Sequence, residues 1–132
     1  MDAARLAESC AVANLNIGVH AVADLVGIDI QHLKDTHFLM SKLRKSLHFA
    51  SFTIMDEKCM KFPGHHSGVT GVFILSESHA AFHSYPEYRY LAVDIFSCGP
   101  ANPELAIENF ASIVNAESCV LRSLDRGRNA RL

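Results

Sequence analysis

The run Val69–Ser76, VTGVFILS, is apolar at both parities of a β-strand. Side chains alternate across a strand, so Val72 and Ile74 point one way while Val69, Phe73 and Leu75 point the other. A strand that is apolar on both faces has to be covered on both. The remaining sequence offers two long helical patterns, which suffice for one face. The other face is expected to pack against a second copy of the chain. Cover by loops and the N-terminal extension is the alternative.

Those two helical patterns have identifiable ends. Asp29 is placed to cap a helix over about residues 30–48, with Leu33, Leu39, Leu43 and Leu47 near helical spacing. Asn102-Pro103-Glu104 opens a second, to about residue 115: Asn caps, Pro takes the first helical position and Glu complements the dipole. Strands are expected at about 17–26, 49–54, 69–76, 80–85, 89–97 and 117–124. A loop over 60–68 (MKFPGHHSG) and a turn at Pro86-Glu87 separate them. The order β-α-β-β-β-β-α-β predicts an α+β two-layer sandwich, an antiparallel sheet with its two main helices on one face. Residues 1–16 read as a loose extension, 17–125 as a single domain and 126–132 as a polar tail with Arg126, Arg128 and Arg131.

Composition narrows the function classes. At 132 residues and 49% hydrophobic, the chain is long enough for one real core. A net charge of −2 with interspersed signs leaves no footprint for nucleic acid. No run approaches the roughly 18 apolar residues of a membrane span. Asp2, Arg5 and Glu8 interrupt any signal-peptide core, and the scattered cysteines form no CxxC. Free thiols in a reducing cytoplasm are the simplest expectation.

The chemistry concentrates between Gly68 and Gly99. Glu77-Ser78-His79 follows the apolar strand, His83 comes five residues after the serine and Cys98 twenty after it. Taken singly, each has an ordinary reading: a turn serine, a packed histidine, a small buried thiol. Together, a serine, an imidazole and a thiol near strand ends can support backbone self-cleavage and proton transfer. A hydrolase is disfavoured, because the GxSxG elbow is absent. Metal is disfavoured too. His79 and His83 lie about 13 Å apart on a strand, His65-His66 is an adjacent loop pair, and no HExxH is present. Glu87, flanked by Tyr85 and Tyr88, is either an exposed turn carboxylate or an acceptor beside a stacking surface.

The segments SGVTGVFILSESH, FHSYPEY and AVDIFSCG, in that order and spacing, closely resemble the prokaryotic type of S-adenosylmethionine decarboxylase, a small pyruvoyl enzyme. Weaker likeness extends over about residues 18–125. The resemblance implies cleavage between Glu77 and Ser78, with Ser78 converted to a covalent pyruvoyl group that forms a Schiff base with substrate. It implies His83 as the processing base, Thr70 as the hydroxyl assisting the cyclic intermediate, and Cys98 as the proton donor in decarboxylation. It also implies Glu87 on the ribose hydroxyls and Phe62 stacking on adenine with His83 on the other side. Independently of the resemblance, Tyr85 or Phe62 offers an aromatic face to a sulfonium. The implied partners are S-adenosylmethionine and a second copy of the chain, and the implied role is supply of the aminopropyl donor for spermidine. Tyr85, Arg89 and Ala80-Ala81 depart from the family's commoner residues and leave the substrate open. Arginine or ornithine decarboxylation through the same group is one alternative, and an unprocessed nucleoside-binding paralogue is another.

Overall fold

In the computed structural model of the protein, which describes residues 16–130, six strands form one antiparallel sheet. In chain order the elements are β1 (Gly18–Val26), α1 (Ile30–Leu33), α2 (Thr36–Phe49), β2 (Ile54–Lys61), β3 (Val69–Leu75) and β4 (Ser78–Tyr85). A 3₁₀ turn (Pro86–Tyr88), β5 (Tyr90–Ser97), α3 (Pro103–Ile113) and β6 (Ser118–Arg126) complete the fold. The sheet order is β2-β3-β4-β5-β1-β6. This is the α+β architecture expected, with α2 and α3 on one face. Of the expected N-terminal extension, all but Asn16 lies outside the described residues, as do Arg131 and Leu132 of the tail. Arg126 is not tail but the last residue of β6, in register with Gly18.

Two boundaries differ from the sequence expectation, for local reasons. The helix expected over 30–48 is two helices. Asp29 caps α1 through the Gln31 N–H at 2.8 Å, and Asp35 starts α2 afresh by accepting from the Phe38 N–H at 3.0 Å. Over 49–53 of the strand expected at 49–54 the chain instead ends α2 and turns. Ser51 adopts φ 72, and the Phe52 and Ser51 N–H groups bond the Leu47 and His48 carbonyls at 2.9 and 3.0 Å. That is a Schellman stop with serine where glycine is usual. β2 therefore begins at Ile54 and runs through the polar segment MDEKCMK, almost wholly exposed, as an edge strand.

The core lies between the sheet and the helices. Leu39, Leu43 and Leu47 of α2 and Ile107 and Phe110 of α3 are fully buried against Leu25, Phe73, Phe82, Leu91 and Ile95. Each such side chain contributes about 1.5–3 kcal/mol of transfer free energy. Gly71 is needed here: a Cβ would stand 2.3 Å from the Phe82 ring and 2.7 Å from Met40 Sδ. Buried Ser84 ties three elements together, its hydroxyl accepting from the Val69 N–H at 2.8 Å and donating to the Leu33 carbonyl at 2.7 Å.

Among the described residues, no helix lies over the opposite sheet face. Val72 and Ile74 of β3 are 39% and 54% exposed there, while Val69, Phe73 and Leu75 are buried on the helix side. The alternation of burial along β3 follows the parity read from the sequence.

Candidate active site

Ser78 opens β4 directly after a two-residue turn, Ser76-Glu77, that joins it to β3 with Leu75 and Ser78 in register. Glu77 adopts φ 60. A left-handed conformation costs an ordinary L-residue about 1–2 kcal/mol, so the carbonyl before Ser78 belongs to a strained residue. The distortion sits at Glu77 and does not extend over 78–80. Ser78, His79 and Ala80 pair regularly with Leu75, Ile74 and Phe73.

The end of β5 meets this turn and brings Cys98 to it. The Cys98 N–H donates to Ser78 Oγ at 3.2 Å, and Cys98 Sγ lies 2.6 Å from the Glu77 carbonyl oxygen and 3.9 Å from Ser78 Oγ. A carbonyl oxygen can only accept, so the thiol donates to it. Three atoms of two residues thus surround the Glu77–Ser78 peptide bond.

A second group forms at the other end of β3 and β4. Thr70 and His83 are in register on the uncovered face, with Thr70 Oγ1 2.9 Å from His83 Nδ1. They line a shallow cleft of about 280 Å³ together with Phe62, His66, Tyr85 and Glu87. Glu87 is carried by the 3₁₀ turn, and its carboxylate lies 4.0 Å from His66 Nδ1. Tyr85 stacks on Tyr90 at 5.5 Å. The Tyr90 hydroxyl donates to Asp24 at 2.6 Å, and that bond, with burial second, pushes the phenol up to about 12.

The structure therefore gathers the sequence-predicted residues into two groups. Glu77, Ser78 and Cys98 are together, and Thr70, His83, Phe62, Tyr85 and Glu87 are together. The groups do not meet within one chain. Five residues of β4 separate Ser78 from His83, about 16 Å at the rise of a strand, and the two have opposite parity.

Residues to which the sequence assigned no role in the site complete the picture. His66 joins the cleft from the β2–β3 loop, and Ser84 anchors β4 beneath it. His20 of β1, His79 of β4 and Asp94 of β5 converge on the uncovered face. Strand parity alone makes His20 and Asp94 face-sharing candidates. Their neighbourhood follows only once the order β4-β5-β1 is known.

Comparison with known proteins gives the chain's family and fold. Residues 19–127 match the family described as S-adenosylmethionine decarboxylase. The chain is 34% identical over 111 residues to S-adenosylmethionine decarboxylase proenzyme 2 of Bacillus anthracis, covering 83% of this chain and 89% of that protein. It is also 30% identical over 116 residues to an arginine decarboxylase proenzyme of Ignicoccus hospitalis, covering 87% and 81% respectively. The fold is similar to the crystal structure of adenosylmethionine decarboxylase from Aquifex aeolicus. That match has a TM-score of 0.76 at 26% identity and covers 85% of this chain and 92% of the other.

Proposed function

The chain belongs to the S-adenosylmethionine decarboxylase family, and we propose on that premise that it cuts itself between Glu77 and Ser78 and then decarboxylates S-adenosylmethionine. The observation that carries the first step is the convergence of Cys98 on the bond, its thiol 2.6 Å from the Glu77 oxygen and its N–H 3.2 Å from Ser78 Oγ. Ser78 Oγ attacks the Glu77 carbonyl carbon. The thiol stabilises the charge that develops on oxygen, and the C–N bond breaks to leave an ester and an amine. Removal of the Ser78 α-proton then expels the Glu77 carboxylate and leaves dehydroalanine. Its imine tautomer takes up water and loses ammonia, and the residue becomes a pyruvoyl group.

The surroundings fit such a group. β4 is bonded to both β3 and β5, so cutting the turn leaves each new end held in the sheet. The Cys98 N–H already points at the position 78 oxygen. When formed, the ketone supplies Schiff-base chemistry, an electrophile for the substrate's amine and a sink for the electrons released with CO₂. Cys98 then holds the proton returned to the substrate's α-carbon, a role that suits a thiol kept reduced in the cytoplasm.

A base acts within hydrogen-bond reach of the proton that it removes. His83 stands about 16 Å from Ser78 along its own strand. We infer a homodimer in which His83 and Thr70 of the partner subunit serve each Ser78. The uncovered apolar positions Val72 and Ile74 are suited to that packing.

The cleft favours an adenosyl substrate. Glu87 can accept from a ribose diol, and Phe62, His66 and His83 offer faces for a base. An aromatic face also attracts a sulfonium. Arginine is the second reading, since one carboxylate can also pair a guanidinium and a relative is an arginine decarboxylase proenzyme. Measuring CO₂ from S-adenosylmethionine, arginine and ornithine separates them. Turnover of S-adenosylmethionine well above the other two is expected, with Glu87→Gln raising KM about tenfold by replacing a charged acceptor with a neutral one. Release from arginine or ornithine alone would overturn the substrate and spare the self-cleavage.

A further inference from the structure

We propose that His20, His79 and Asp94 form a binding site for a borderline transition-metal ion, Zn²⁺ being the best fit. The site lies outside both groups described above and is built by register. His20 of β1 and His79 of β4 both pair with Phe96 of the intervening β5, and Asp94 lies two residues along β5 on the same face. His20 Nε2 and His79 Nε2 stand 2.7 and 3.0 Å from Asp94 Oδ2, with all three ligand atoms within 4.8 Å of one another.

The two separations from Asp94 are close to those of a loaded site. Zinc takes nitrogen and oxygen ligands at about 2.0–2.2 Å, which puts tetrahedral ligands about 3.3 Å apart. Spreading the two bonded pairs by a few tenths of an ångström admits the ion. All three side chains are partly shielded, at 19%, 45% and 31% exposure for His20, His79 and Asp94. Two imidazoles and one carboxylate select zinc, nickel or copper over magnesium and calcium, and three protein ligands leave a position for water.

Arg126 acts against the ion. Its Nη1 lies 3.0 Å from His20 Nδ1, and a guanidinium can only donate. In this state His20 therefore carries its proton on Nε2 and donates it to Asp94. Coordination through Nε2 moves that proton to Nδ1, where it would face the guanidinium, so Arg126 has to swing away. It ends β6 and is exposed within its own chain, so no neighbour in that chain blocks the movement. Arg126 holds the metal-free state and thereby sets the affinity.

The test is Zn²⁺ binding by calorimetry, with the Co²⁺ absorption spectrum as a report of ligand geometry. It is made on Ser78→Ala protein, which stays one chain, so the result does not depend on self-cleavage. One ion per chain is expected. His79→Gln and Asp94→Asn, each in the Ser78→Ala background and checked for folding by circular dichroism, should each weaken binding at least about tenfold. Arg126→Ala should tighten it by about tenfold. His65→Gln/His66→Gln, which removes the adjacent histidine pair of the β2–β3 loop, should leave it unchanged. No binding, or binding that survives His79→Gln and Asp94→Asn but is lost with the loop pair, would reduce the cluster to a hydrogen-bonded triad and overturn the site.

Discussion

Cys98 touches both sides of one peptide bond, the Glu77 oxygen through its thiol and Ser78 Oγ through its backbone. A donor held at an oxygen that gains charge contributes to the step in which the charge appears. Cys98→Ala should therefore slow maturation by about tenfold or more as well as abolishing most turnover. Cys98→Ser should recover part of the maturation. A gel time course of chain cleavage reads both, and maturation at the wild-type rate in Cys98→Ala would remove the thiol from that step. The sequence suggested only the later role for Cys98, because nothing local in SCG tells that the end of β5 meets the β3–β4 turn. The opposite parity of Ser78 and His83 was legible, and β4 keeps it, since its residues from Ser78 onward pair regularly. His79 was weighed against His83 on its own strand. Its actual neighbours, His20 and Asp94, come from strands distant in sequence.

Among the elements, the central strands and α3 were legible nearly to the residue, because parity and an Asn-Pro-Glu start are strong local signals. The errors fell where a cap outweighed a pattern. The leucines on either side of Asp35 read as one helix, yet the Asp35 side chain restarts it, and the six-residue step from Leu33 to Leu39 marks the break. ASFTI has strand composition, yet Ser51 at φ 72 ends α2 and leaves the strand to the polar segment that follows. β2 is an edge strand, so its polar composition is tolerated where a central strand's would not be. The least visible tie is Ser84, a hydroxyl between apolar neighbours that joins β4 to β3 and to the end of α1. Ser84→Ala strands a buried N–H and a carbonyl, and should lower stability by about 1–3 kcal/mol. Thermal denaturation measures it. No change in midpoint would mean that the Val69 and Leu33 groups find other partners.

For the whole molecule, the question is how two half-sites at opposite ends of β4 become one site. The homodimer proposed above, formed through the uncovered face, would answer it and make the site shared. Co-expression of Ser78→Ala with His83→Ala then distinguishes a shared site from a self-contained one. Each variant alone should remain uncut, while the mixed dimer joins the intact Ser78 of one chain to the intact His83 of the other and should cleave the His83→Ala chain. If no cleavage appears in the mixture although mixed dimers form, His83 does not act across the interface. That both faces of β3 carry apolar side chains was visible in VTGVFIL. Which residues the partner brings was not, because it depends on where strand ends lie in space. The central claim is self-cleavage, and the intact mass of the purified wild-type protein tests it most directly. The account predicts two chains, residues 1–77 ending in a free carboxylate and residues 78–132 beginning with a pyruvoyl group, while Ser78→Ala gives one. A wild-type protein that keeps the mass of a single 132-residue chain after prolonged incubation would contradict it.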